Sequence, residues 1–141
     1  MSYITFQPHD YFNTKLYTGN ASTNAITGVG FQPDWVWIKN RSAAEAHSLY
    51  DAVRGTQKVI YSNLSNAEAT ETNGLSSFDS DGFTVGSSGA INGSSQNIVS
   101  WNWKAGTGQG SSNTDGSINT TYTSANTTSG FSISTYTGTG S

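Results

Sequence analysis

Val99-Ser100-Trp101-Asn102-Trp103-Lys104 alternates apolar and polar side chains. Alternation of period two belongs to a β-strand with one face covered, because successive side chains of a strand point to opposite sides. The pattern places Val99, Trp101 and Trp103 on one face, expected to be the core face, with Ser100, Asn102 and Lys104 toward solvent. A second indole pair lies in Trp35-Val36-Trp37-Ile38-Lys39, opened by Pro33-Asp34 and bounded by Asn40. Here Val36 and Ile38 make the other face apolar too, so this strand is expected to be covered on both sides. Two indoles on one face also make a flat stacking surface for sugar rings; the alternation favours the core for both pairs.

Outward from these two stretches, further strands are expected at short intervals. Phe12 to Thr18 ends at Gly19-Asn20, and Ala25 to Val29 is punctuated by Gly28 and Gly30. Leu49 to Val53 and Lys58 to Ser62 flank Arg54-Gly55. Leu75 to Phe78 and Phe83 to Val85 flank Asp79-Ser80-Asp81-Gly82, where Asp-Gly is a strong hairpin signal. Asn97 to Lys104 and Phe131 to Thr137 follow. Ser42-Ala43-Ala44-Glu45 has capping-box spacing and predicts a short helix toward Tyr50, or else a loop carrying His47. The spacing of strands and turns predicts an all-β fold, an antiparallel β-sandwich or jelly roll of about nine strands.

Composition agrees and restricts function. Roughly half of the 141 residues are Gly, Ser, Thr or Asn, and only 11% are charged. One domain with an economical core fits that length. No apolar run is long enough for a membrane helix, so no membrane insertion is expected. The absence of cysteine removes disulfides and thiol chemistry. A net charge of −3 with six Lys plus Arg makes nucleic acid a poor partner.

Ala105 to Gly130 holds only Ile118 and Tyr122 as sizeable apolar groups, and reads as a polar linker or long loop. The organisation expected is an N-terminal arm over 1–11, a sandwich over 12–104, the linker or loop over 105–130 and a last segment over 131–141. Phe12 to Ser22 and Phe131 to Ser141 share the pattern F-x4-Y-T-G-x-x-S. The last segment is therefore either the start of a second copy, the preferred reading, or a strand closing the first sheet beside its N-terminal strand.

Constellations for chemistry are thin. His9 and His47 are the only histidines, and no nucleophile elbow accompanies the abundant serines, so no catalytic residue is expected. Asp79 and Asp81 resemble the opening of a calcium loop without its closing Glu, and read as solvent-facing acids on a turn. No metal or other cofactor is expected. Candidate glycan contacts are Trp37 with Asn40, and Tyr50 with Asp51. Arg54 is expected either to pair with Asp51 across a turn or to serve a protein interface.

The stretches Phe12 to Ser42, LYDAVRG (Leu49 to Gly55), GLSSFDSDGFTVGS (Gly74 to Ser87) and VSWNWKAG (Val99 to Gly106) resemble a domain family of virion proteins in tailed phages, notably those infecting marine cyanobacteria. The resemblance implies a concanavalin-like or SPRY-like β-sandwich, often in tandem units, within tail-fibre or other virion structural proteins. Under it, Met1 to Asp10 is the family's native N-terminus, and Gly130 to Gly138 opens a further unit. It implies no catalytic residues. The expectation is a non-enzymatic virion component whose partners are other virion proteins and copies of itself. The alternative is a module binding a host-surface glycan.

Overall fold

The computed structural model describes residues 7–140. Its strands are β1 (Phe12–Thr18), β2 (Asn24–Thr27), β3 (Trp35–Asn40), β4 (Ser48–Asp51), β5 (Lys58–Tyr61), β6 (Ala69–Thr70), β7 (Leu75–Asp79), β8 (Gly82–Val85), β9 (Asn97–Trp103), β10 (Thr120–Asn126) and β11 (Phe131–Tyr136), with one helical turn, α1 (Gly89–Asn92). Three antiparallel sheets result: six strands in the order β1-β9-β3-β4-β5-β6, three in the order β2-β8-β7, and the hairpin β10-β11. The two larger sheets enclose the main core, so the chain is an antiparallel β-sandwich.

The strands expected from alternation are present, with ends shifted by a residue or two. Asp79 pairs with Gly82 across the tight Ser80-Asp81 turn, as the Asp-Gly signal predicts. Of the two readings offered after Ser42, the loop carrying His47 is present and the helix is not. Asn40 Oδ1 accepts the backbone N–H groups of Ser42 and Ala43, turning the chain, and Ser48–Asp51 is drawn into β4 beside β3.

Core side chains come from the inner face of the six-stranded sheet, including Val36, Ile38, Tyr50, Val59 and Ile98, and from Ile26, Leu75, Phe83 and Val85 of the smaller sheet. Tyr17 packs against them from β1 and donates its hydroxyl to the Ile91 carbonyl. Burial pushes the phenols of Tyr17 and Tyr50 well above the usual tyrosine range.

The tryptophans are not in this core. Trp35, Trp37, Trp101 and Trp103 are half-buried on the opposite, outer face of the six-stranded sheet. In the ladder Trp35 lies opposite Trp103 and Trp37 opposite Trp101, while Val36 faces Asn102 and Ile38 faces Ser100. Inside are the slim side chains Ile98, Ser100 and Asn102, all buried, which let the second sheet approach to the usual ~10 Å. Four indoles in that gap would hold the sheets apart. The alternation along Val99–Lys104 is as expected, but its inward and outward faces are exchanged.

Inside the stretch expected as linker or loop, Thr120–Asn126 forms β10 and pairs with Phe131–Tyr136. The last strand thus lies in a hairpin of its own and does not pair with β1. Of the expected N-terminal arm, residues 1–6 lie outside the described residues; Pro8–Asp10 form a turn of 3-10 helix against β1. Ser141, the last residue of the repeated pattern, also lies outside them.

Candidate functional site: an aromatic outer face

The outer face of β1, β9 and β3 follows from strand parity. Phe12, Thr14 and Leu16 point outward from β1, opposite Trp103, Trp101 and Val99. Side chains directly opposite on an antiparallel pair touch, and rings prefer tilted or edge contacts. Accordingly Phe12 and Trp103 have ring centroids 4.8 Å apart at 50°, and Trp37 meets Trp101 edge-on at 5.7 Å. Trp103 also stacks on Phe131 of the hairpin at 6.1 Å and 24°. Trp37, Trp101 and Trp103 line a shallow recess of about 230 Å³ with no polar side chain in its lining. Beside it Leu16 stands 61% exposed and Phe12 38% exposed.

The hairpin covers one end of this face. Ile133 is buried with Val53 and Ala105, and Trp35 and Phe131 pack against them. What fastens it is Asp34, a buried residue immediately before β3. Its carboxylate accepts backbone N–H groups from Ala105 (2.7 Å), Thr107 (3.0 Å) and Gly108 (2.7 Å), the chain leading from β9 toward the hairpin. Ser124 Oγ accepts the Gly106 N–H, and Asn126 Nδ2 donates to the Ala105 carbonyl. Sequence reading passed over Asp34, since Pro-Asp before a strand reads as turn chemistry. The signal was the run Gly106-Thr107-Gly108, whose backbone can curl around an anion.

The nominated residues divide between the two faces. Trp37 lies on the outer face, where its indole N–H donates to His47 Nδ1 at 3.0 Å. Asn40, three positions along, points inward and is 1% exposed; its amide donates to the Gly89 carbonyl and to Gln96 Oε1. Trp37 and Asn40 therefore do not form one platform. Tyr50 is fully buried in the core and donates its hydroxyl to Glu71 Oε2, so it offers no ring to a ligand. Asp51 faces outward opposite Trp35 but is buried beneath Arg54. Arg54 Nε donates to Asp51 Oδ2 at 2.5 Å, and its other nitrogens reach Glu68 and the Leu49 carbonyl. With its guanidinium engaged in this way, Arg54 ties the turn after β4 to the sheet.

The acids of the β7–β8 turn are not simply in solvent. Asp79 accepts the Thr84 hydroxyl, and Asp81 accepts the N–H groups of Gly28 (2.9 Å) and Gly30 (2.7 Å). Both glycines have positive φ, which lets the two amides converge. The Gly28 amide first, then that of Gly30, holds the Asp81 carboxyl below the usual carboxylate range, with help from Lys15. Among the described residues, no group of three His, Asp or Glu side chains could hold a metal ion. No helix among them is long and apolar enough to cross a membrane.

These features define an antiparallel β-sandwich with an aromatic outer sheet face and a C-terminal hairpin latched across one end. The chain belongs to the family described as a domain of unknown function (DUF7483), whose model matches residues 7–141, hairpin included. No curated protein and no solved structure matches it.

Proposed function

We propose that this chain is a non-enzymatic structural module of a phage virion, joined to other virion proteins and to copies of itself through the aromatic face of its six-stranded sheet. The observation that supports the assembly role is the continuity of that face: Leu16 and Phe12 exposed beside three half-buried indoles, around a recess without polar side chains. Contiguous apolar surface of this kind marks protein contacts, and aromatic residues are enriched in them. A surface rich in Ser, Thr and Asn and poor in charge adds hydrogen-bonding rims without burying unpaired ions. The virion setting rests on the resemblance across Phe12 to Gly106.

Glycan recognition is the weaker reading. A sugar needs hydrogen-bonding groups around the ring that stacks, and Asn40 and Tyr50 are turned into the core. Cryo-electron microscopy of intact particles containing the chain tests the proposal. The expected map has the aromatic face against neighbouring protein density. A chain at a distal tip with that face open to solvent would overturn it, especially if saccharide binding were lost in Trp101→Ala.

A further inference from the structure

We infer that His47 is a pH-sensitive catch on the aromatic face: neutral, it holds the Trp37 indole in place, and protonated, it lets that indole go. That acid thereby frees the face of a neighbouring protein rests on the assembly reading.

The chemistry of two ring nitrogens carries the switch. Trp37 Nε1 can only donate, and it donates to His47 Nδ1 at 3.0 Å. Nδ1 must then offer its lone pair, so the imidazole is neutral with its proton on Nε2. An imidazolium donates from both nitrogens. Protonation therefore sets two N–H groups against each other and leaves the Trp37 indole without its acceptor.

The backbone is fixed while the side chain can move. The His47 N–H donates to Asn63 Oδ1 at 2.9 Å, and the next residue, Ser48, is already paired with both Ile38 and Tyr61. His47 itself is partly exposed, so its ring can turn to water. Trp37 keeps its edge-on contact with Trp101, but it is one wall of the recess it forms with Trp101 and Trp103. Loosening that wall reshapes the recess, and the new charge stands at its rim, where covering it with a partner is costly.

Nothing around His47 neutralises that charge. One ladder step beyond the Ile38–Ser48 pair it stands across from Lys39, whose ammonium donates to the carbonyls of Asn40, Ala43 and Glu45. On its own loop the Arg41 and Glu45 side chains are exposed. Tyr61 of β5 packs against the core, and Asn63 beyond it is uncharged. The outer row of β9 presents Trp101 and no titratable group. Asp51, Arg54 and Lys58 lie toward the other end of β4 and β5. Among the described residues, the ion pair between a histidine and a carboxylate is that of His9 with Asp10.

Nitrogen-15 correlated NMR spectra of the full chain, in which each indole N–H gives its own signal, test the switch. The Trp37 signal is identified by its loss in Trp37→Phe. It is expected to move upfield in one step, and to exchange faster with water, between about pH 8 and about pH 5, where histidine takes up its proton. His47→Gln keeps an acceptor that does not titrate and should hold the signal in place. His9→Gln, at the exposed histidine, should leave the step intact. Matching urea midpoints verify that the variants fold. A parent signal without a step, a step that survives His47→Gln, or one lost in His9→Gln overturns the switch. Acrylamide quenching of the indoles inside intact particles then separates its consequence from the parent reading. Indoles protected at the alkaline end and quenched at the acid end, with protection kept in particles carrying His47→Gln, support release by acid. Protection at both ends overturns that release, and free quenching at both sinks the assembly reading.

Discussion

Removing the Asp34 carboxylate should release the hairpin from the sandwich before it unfolds the sandwich itself. Three backbone N–H groups converge on that carboxylate, from Ala105, Thr107 and Gly108. A hydrogen bond to a charged acceptor contributes about 1.5–3 kcal/mol net. Thr107 is exposed, so water can replace its bond, leaving two bonds to count. Asp34→Ala should then cost about 3–6 kcal/mol. Asp34→Asn keeps the shape and one acceptor oxygen. With that oxygen toward Ala105 and Thr107, its NH₂ faces the Gly108 N–H, and the loss is about 1.5–3 kcal/mol. The hairpin retains the apolar contact of Ile133 with Val53 and Ala105. Native-state hydrogen exchange reads the outcome residue by residue. Amides of β10 and β11 should lose protection in Asp34→Ala, while those of β3 and β9 keep most of theirs. Tryptophan emission should shift to the red as Trp35 and Trp103 lose their cover from the hairpin. Unchanged exchange across β10 and β11, with a urea midpoint within about 0.5 kcal/mol of the parent, would refute the assignment of Asp34 as the latch.

Three further outcomes are expected. Gly82→Ala places a Cβ on the Ile26 carbonyl oxygen where β2 pairs with β8, at a φ of +153°, and should cost more than about 2 kcal/mol in urea unfolding. Tyr50→Phe removes a donor from the Glu71 carboxylate and should lower stability by about 1.5–3 kcal/mol, read from the same midpoint; no change would mean that water replaces the hydroxyl. Asp81 has a lowered folded-state pKa, so its contribution is fully present above the ordinary carboxylate value and is lost as pH falls through the folded one. Stability measured from neutral to acid pH should therefore decline less steeply in Asp81→Asn than in the parent, and parallel curves would remove Asp81 from the acid sensitivity.

Within the sandwich, each residue's local chemistry made the elements legible. Alternation marks β1, β3 and β9, and Asp81-Gly82 marks the β7–β8 hairpin, because period-two patterning and turn preferences are properties of a few consecutive residues. The hairpin was less legible: Thr120–Asn126 is polar and reads as linker, and becomes a strand because Phe131–Tyr136 pairs with it. The candidate site was half legible. The indoles stood out as a feature, but Asn40 and Tyr50 were grouped with the outward-facing Trp37 and Asp51 although strand parity and packing turn them inward.

Sequence by itself therefore determined an all-β chain, the positions of nine of its strands and the sorting of side chains into two sets along them. Which set faces the second sheet was a tertiary decision. Alternation is symmetric between faces, and the choice depends on what fits in the narrow gap between sheets: Ile98, Ser100 and Asn102 inside, Trp101 and Trp103 outside. The role of Asp34 was likewise a tertiary decision, because the amides it gathers lie more than seventy residues away along the chain and meet it only when the hairpin docks.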